Sequence, residues 1–533
     1  MFEKLGQKLG LSAIPQIFFI SVAIVVLFVG FAIPFNEEFA AFFDTLGGFT
    51  FSNFGWFYVL SVSGLLLFLI WVASSRYGKI RLGPDDEGPE YATTTWFCML
   101  FAAGIGTILM FWGVAEPMYH FASPPLPEVE GGTKDAARLA MTISLFHYGL
   151  HTWTIFTLPA LAIGYFTYRQ GLPMRISSVF YSVLGNRIYG PIGWTIDIIA
   201  LLGTLFGVAV SVGLGTMQLN SGMNYLFGLP VNQVSQMFIV AAITFVASVS
   251  VALGLDKGIK RLSEFNIALA LVILLFVAVA GPTLFIVSGT VQNIGAYLDN
   301  LAWLAFWTEA YNEGNWQRTW TVFYFAWTIS WAPYVGIFIA RISKGRTIRQ
   351  FVFGALGSPL IFTVVWFSVF GLAAIDLELN QGVAISEQVQ EDVSVALFSF
   401  LEQFPWAGAI SALAVVVIVV FLTTSVDSAA LVVDLLSRKD DQPSRTVQRV
   451  FWTVLLGLVA ATLLLGGGLQ ALQNVITALG FPFCVLLVFM AVSLTRALHA
   501  DYLGYSLKDL AEGEAPPLSP MGSMPHERKD QQP

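Results

Sequence analysis

Apolar runs long enough to cross a hydrocarbon core roughly 30 Å thick recur from one end of this 533-residue chain to the other. Such runs satisfy their backbone polar groups internally, as helices. Charged side chains make up 11% of the residues, against about 25% in soluble domains, which excludes an ordinary soluble globule. The reading is an all-α polytopic membrane protein. Apolar runs and breakers place twelve transmembrane helices near 14–35, 51–75, 94–116, 139–167, 192–219, 232–254, 263–289, 319–341, 350–375, 406–436, 449–466 and 474–497. The first run lacks a small-residue cleavage site and is expected to be kept as a helix. Segment 297–311 sets Trp303, Leu304, Phe306 and Trp307 beside Asp299, Asn300 and Glu309. It is too short and polar to cross, and reads as an amphipathic helix in the interface. Both cysteines, Cys98 and Cys484, fall inside apolar spans, which excludes a disulfide framework, a redox pair and a cysteine metal site.

Lys and Arg gather on cytoplasmic loops. With the N-terminus inside, all 26 of them fall on inner segments except Lys134, Arg138 and Arg318, while Glu37, Glu38, Asp44, Glu128, Glu130, Asp299, Glu309 and further acids fall outside. Both termini are therefore expected in the cytoplasm, in a multi-pass protein of the cell (inner or plasma) membrane. The acidic outer face reads either as loop solubility or as attraction of cations to a vestibule. No Lys or Arg lies mid-span, which counts against a voltage sensor or an anion pore. The layout is a cytoplasmic N-terminus (1–13), two peripheral helices (14–75), a first block (92–289), the interfacial helix (297–311), a second block (319–497) and a disordered tail (503–533) rich in Pro, Gly and Ser.

Two spans differ from the rest. Span three reads Phe101-Ala102-Ala103-Gly104-Ile105-Gly106-Thr107, then Met110-Phe111-Trp112-Gly113-Val114-Ala115-Glu116-Pro117, and glycines in mid-membrane permit unwound or closely approached backbone. Span eight is aromatic from Phe323 to Tyr334 and carries Pro333. Spans 3–7 and 8–12 thus form two five-helix blocks of opposite orientation, each opening on an interrupted helix, the pattern of a midplane binding site between inverted repeats. Trp327 and Trp331 share a helical face, and Tyr148, Trp153 and Phe156 lie on span four. These rings either pack against lipid and helices or form a box for a quaternary ammonium, held by cation–π attraction. Thr423, Thr424 and Ser425 interrupt span ten beside Asp427. Their hydroxyls either bond back to the helix or supply hard oxygens to sodium. Asp427 and Asp197 are the most embedded acids, read as functional groups or as partners of a cap, Arg438 or Arg187. His147 and His151 have metal-pair spacing but no third ligand, and are expected to be buried, hydrogen-bonded structural residues.

The string Met110–Pro117, the block Phe146-His147-Tyr148-Gly149-Leu150-His151-Thr152-Trp153, the block Trp327–Pro333 with its continuation Gly336–Arg349, and Thr424-Ser425-Val426-Asp427-Ser428 resemble, in this order over most of the chain, the betaine/choline/carnitine transporter family. The resemblance implies two inverted five-helix repeats of the amino-acid:sodium symporter type, a homotrimer packed partly through the interfacial helix, and alternating access around an aromatic box. By its motifs the box would use Trp153, Trp327, Trp331, Tyr148 and Phe156. Thr328 stands where a further Trp is common, which opens the cavity to a bulkier or more polar zwitterion. Gly104, Gly106 and Ile108 would border the solute. Ile108 stands where choline carriers often have an acid, which disfavours choline. One sodium would take the carbonyls of Ala102, Ile105 and Phe421 and the hydroxyls of Thr424 and Ser425. A second would draw on Thr204 and Tyr334, where Val208 replaces an expected hydroxyl residue.

The expectation is a secondary active transporter, not an enzyme, importing a zwitterionic quaternary ammonium or related compatible solute by sodium symport, with no cofactor beyond the coupling ion and no nucleic-acid partner. The alternative is a proton-coupled or sodium-independent exchange carrier for choline, carnitine, ectoine or sulfonium substrates. An intramembrane enzyme would need a converging dyad or metal set, and a channel would need pore-lining rings.

Overall fold

The computed structural model describes residues 4, 6, 11–104, 106–253, 256–311, 314–439 and 442–512, and at 101–104, 107, 256–261, 511 and 512 the backbone alone. Ten continuous helices within them are long and apolar enough to cross a membrane. These are α1 (Pro15–Ala32), α2 (Asn36–Ser74), α7 (Pro191–Phe227), α8 (Gln233–Ala252), α9 (Asp256–Ala280), α11 (Phe323–Arg341, with the π turn Arg318–Val322 before it), α12 (Ile348–Gln381), α13 (Ala407–Ser437), α14 (Thr446–Leu465) and α15 (Gly468–Leu503). Two further crossings are each made of two half-helices: α3 (Thr93–Gly104) with α4 (Thr107–Ala122), and α5 (Lys134–Tyr148) with α6 (Leu150–Gly164). The chain is an all-α polytopic membrane protein.

Its packing has the pattern of an inverted repeat. The first crossing of one block packs on the second crossing of the other: α11 lies on α6, and α3 and α4 lie on α12. The third crossings, α7 and α13, pack together, as do the fourth, α8 and α14. Each fifth crossing packs on the third of the other block, α9 on α13 and α15 on α7. Such an exchange is what a pseudo-two-fold axis produces.

The break of span three falls at its glycines, between Gly104 and Thr107, as expected; the others do not follow the sequence reading. Span four is not continuous: the chain kinks at Gly149, where a Cβ would lie 2.3 Å from Leu145 O and 2.8 Å from Tyr297 Oη. The Leu150 N–H freed by the break donates to Tyr297 Oη at 3.2 Å, so the cost of an open backbone group in the membrane is offset by a neighbouring helix. Span eight is not interrupted at Pro333, which sits inside α11; its irregular turn is the π turn one level earlier. The seventh crossing ends at Ala280 rather than at 289, because Pro282 cannot donate a backbone hydrogen bond. The helix that follows, α10 (Thr283–Phe306), lies on α5 and α12 and is longer than the interfacial segment read at 297–311. At the C-terminal end, Leu507–Glu512 is helical within the segment expected to be disordered. Ser506 and Asp509 cap it reciprocally, at 2.7 and 3.2 Å, and Leu507 is buried.

Close packing explains one glycine of the Met110–Pro117 string. A Cβ on Gly113 would lie 2.6 Å from Trp366 Nε1, whose N–H donates to Leu109 O at 3.0 Å. Gly113→Ala is therefore expected to destabilise the fold by about 1–3 kcal/mol through overpacking, read as a lower melting temperature in detergent. An unchanged melt would show that α4 and α12 can separate at no cost.

Candidate functional site

Two neighbouring cavities occupy the middle of the bundle. The smaller, about 40 Å³, is lined by Ile108, Leu109, Tyr148, Thr152, Trp153, Phe156, Tyr324, Trp327, Thr328, Trp331 and Thr363. All five aromatic residues singled out for a box thus face one chamber, together with Thr328 and Ile108. The half-helices make this geometry: the break at Gly149 brings Tyr148 and Trp153 to one wall, and α11 supplies the opposite wall. Ring centroids stand 5.6 Å apart for Trp153 and Phe156, 6.4 Å for Phe156 and Trp331, and 6.2 Å for Tyr324 and Trp327. Tyr324 and Tyr148, at 5.2 Å, close one end. Tyr324 was missed in the sequence, although it shares a face with Trp327, Thr328 and Trp331 at helical spacing. Thr152 and Thr363 carried no such signal.

The chamber has a donor to spare. Trp331 Nε1 is buried without a hydrogen-bond partner, whereas Trp327 Nε1 is fixed on Gly207 O at 3.1 Å and the hydroxyls of Tyr148 and Tyr324 interact with each other and with Glu116. The Thr328 hydroxyl is spent on its own helix, donating to Tyr324 O at 2.7 Å. Aromatic faces beside an unpaired indole N–H suit a solute with a cationic end and an anionic end. At its present size the chamber has room for a few waters at roughly 10–15 Å³ each, so a solute requires the walls to part.

The larger cavity, about 330 Å³, shares Ile108 and Trp331 with the chamber and adds Gly106, Tyr334, Phe421, Thr424, Ser425 and Ser428. It reaches Phe338 and Arg341, both exposed, so this half of the bundle is open. Phe421, Thr424 and Ser425 project from one face of α13 toward Gly106, beside which a Cβ would meet nothing within 4 Å. Thr424 donates to Val420 O at 2.9 Å and Phe421 O at 3.2 Å, which leaves its two lone pairs free to accept or ligate. The cavity-facing hydroxyls of Thr424 and Ser425 therefore suit a hard cation such as sodium, while Phe421 O, inside the continuous α13, already accepts from Thr424. Of the remaining ion ligands read from the sequence, Ile105 lies outside the described residues and Ala102 is described as helical backbone only, as is Gly104, read as bordering the solute. Thr204 is buried with its hydroxyl unpaired and lines neither cavity, whereas Tyr334 lines the larger one.

The opposite half of the bundle is plugged. Trp316, Trp320 and Tyr324, four residues apart, interleave with Trp112, Tyr119 and His120 of α4. Trp320 lies 4.4 Å from His120, 4.7 Å from Tyr119 and 5.7 Å from Trp112 by ring centroids. The embedded acids are partnered structurally. Asp427 accepts from Arg449 at 3.3 Å and Ser250 at 3.2 Å, not from Arg438, which pairs with Asp434. Asp197 accepts from the backbone and hydroxyl of Ser177. His147 is buried and hydrogen-bonded, but His151 is buried without a hydrogen-bond partner and packs its ring on Phe146 and Phe325. On the face carrying Arg341, Arg169 clamps Asp501 and Asp85, and its hydrogen bond holds the Asp85 carboxyl below the usual carboxylate range.

Comparison with known proteins bears on the same residues. The model of the betaine/carnitine/choline family of transporters matches residues 16–503. The chain is 45% identical over 501 residues to an ectoine/glycine betaine/proline transporter of Corynebacterium glutamicum, covering 93% of this chain and 82% of that one. It is 43% identical to a glycine betaine transporter of Acinetobacter baylyi (91% and 74% covered) and 39% identical to a high-affinity choline transport protein of Escherichia coli K12 (91% and 72% covered).

Proposed function

The chain belongs to the betaine/carnitine/choline family of transporters, and from that premise we propose that it imports a zwitterionic compatible solute, glycine betaine or a related quaternary ammonium, in symport with sodium by alternating access. The observation that carries the reading is the chamber: aromatic faces for a cation that cannot hydrogen-bond, and the unpaired indole N–H of Trp331 for a carboxylate. A zwitterion uses both, whereas choline lacks the carboxylate. The family members similar to this chain include carriers named for ectoine, glycine betaine and proline, which agrees with a site built for both charges.

Alternating access is supported by the two halves of the route. The half toward Arg341 is open through a cavity of about 330 Å³, and the half toward Trp320 is plugged by rings. With the basic loops at the Arg341 end placed in the cytoplasm, this is an inward-facing form. Sodium coupling draws on the α13 oxygens, Phe421, Thr424 and Ser425, which flank the chamber across Trp331. We further propose the homotrimer and the N- and C-termini in the cytoplasm.

Uptake of radiolabelled glycine betaine and ectoine into proteoliposomes tests the function. An inward sodium gradient should drive accumulation, and an inward potassium gradient at the same pH should not. Accumulation driven equally by both cations removes sodium symport; accumulation driven by an imposed proton gradient instead makes the proton-coupled carrier the better reading.

A further inference from the structure

We propose that Glu116, His147 and Thr321 form a latch that holds the outer gate shut, with His147 as the positioning residue that ties the second repeat to the first; the proposal rests on the alternating-access reading above. Glu116 on α4 and His147 on α5 belong to the first block, and Thr321 to the π turn that opens the second. Glu116 Oε1 lies 2.6 Å from His147 Nδ1, and His147 Nε2 lies 2.9 Å from Thr321 Oγ1. A carboxylate only accepts, so Nδ1 carries a proton and donates it to Glu116, while Nε2 shares the second bond with the Thr321 hydroxyl, which can donate or accept. The carboxylate thereby fixes the orientation with which His147 meets the other block.

Three features make this contact a latch rather than a chance bond. All three side chains are buried, at 0%, 0% and 1% exposure, so while the gate is closed no water competes for the groups. When the start of α11 withdraws, water can take over both bonds, and the contact is therefore specific to the closed form. The bond also lies within the ring plug: His147 is 5.8 Å from Trp316 and 4.9 Å from Tyr324, and Tyr324 is a wall of the chamber. Closure above the solute and contact with the solute thus share a residue. Finally, Thr321 sits in a π turn, whose wider register sets the level at which it meets His147, and such turns recur at functional sites.

His120 adds a third metal-type side chain, with ligand atoms of Glu116, His120 and His147 within 4.8 Å of one another. An ion bound through either ring nitrogen of His147 would displace the bond that nitrogen makes, to Glu116 or to Thr321, so the geometry favours the hydrogen-bonded chain.

The test is modification from the outside. In cells expressing the full chain with Cys98→Ser and Cys484→Ala, Thr152→Cys places a thiol on the chamber wall, reached by an externally added, membrane-impermeant maleimide only when the outer gate is open. Adding Thr321→Val removes the hydroxyl and keeps the shape, and is expected to raise the modification rate about fivefold to tenfold, the size of one buried hydrogen bond. Thr321→Ser should restore the native rate. His147→Gln and Glu116→Gln should shift the rate in the same direction as Thr321→Val, and serve if that variant folds poorly. In uptake, Thr321→Val should lower the external KM while reducing turnover, a split that a general loss of stability does not produce. Equal modification rates with and without Thr321→Val in folded protein overturn the latch. Because the maleimide reads the gate directly, failure of the transport reading shows separately, as a native protein that accumulates no solute under any ion gradient.

Discussion

Trp331→Leu is expected to weaken solute binding roughly thirty-fold, whereas Trp331→Phe keeps most of the affinity. The indole sits where the chamber and the larger, open cavity meet, 6.4 Å from Phe156 and 5.6 Å from Tyr334 by ring centroids. Leu preserves apolar volume but removes the π face. A cation–π contact out of water is worth about 2 kcal/mol, and about 1.4 kcal/mol is tenfold in affinity. Titration of purified protein with glycine betaine, followed by intrinsic fluorescence, measures both variants. Equal losses in Leu and Phe would mean that the ring acts by packing alone, and the aromatic-box reading would fail.

The double variant Thr424→Ala, Ser425→Ala should raise the sodium concentration for half-maximal uptake on the order of tenfold or more, within the range of ordinary coupling energies. These hydroxyls face the cavity on α13 beside Phe421, and removing them takes away two oxygens without touching the aromatic chamber. Coupling is reciprocal for binding, so solute affinity at fixed low sodium should fall by the same factor and recover at saturating sodium. A loss that does not recover would assign the pair to helix packing, the role already visible in the donation from Thr424 to Val420 O.

Much of this architecture is legible because it depends on local quantities. The transfer free energy of an apolar run is a property of the run, so ten crossings appear in the sequence much as they stand in the structure, and α11 carries Trp327, Thr328 and Trp331 along one face as helical spacing requires. Even Tyr324 could have been found by extending that face one turn toward the N-terminus. Thr363 could not, because its helix α12 reaches the chamber only through the packing of α12 on α6.

What the sequence by itself determined is the number of crossings, the charge asymmetry between the two faces, and the residue types that could hold a zwitterion and a hard cation. Only the tertiary structure decided that span four breaks and span eight does not, and which polar groups meet. The kink at Gly149 exists because Tyr297, on a helix remote in sequence, takes the freed N–H of Leu150; the seemingly stronger breaker, Pro333, remains inside α11. The Glu116–His147–Thr321 chain joins residues of three crossings, and His151, with the same chemistry four residues on, makes no such bond. The physical reason is common to all of these: in a low-dielectric core an unpaired polar group is costly, so its partner is chosen by three-dimensional reach, and that reach is set by how the two blocks pack.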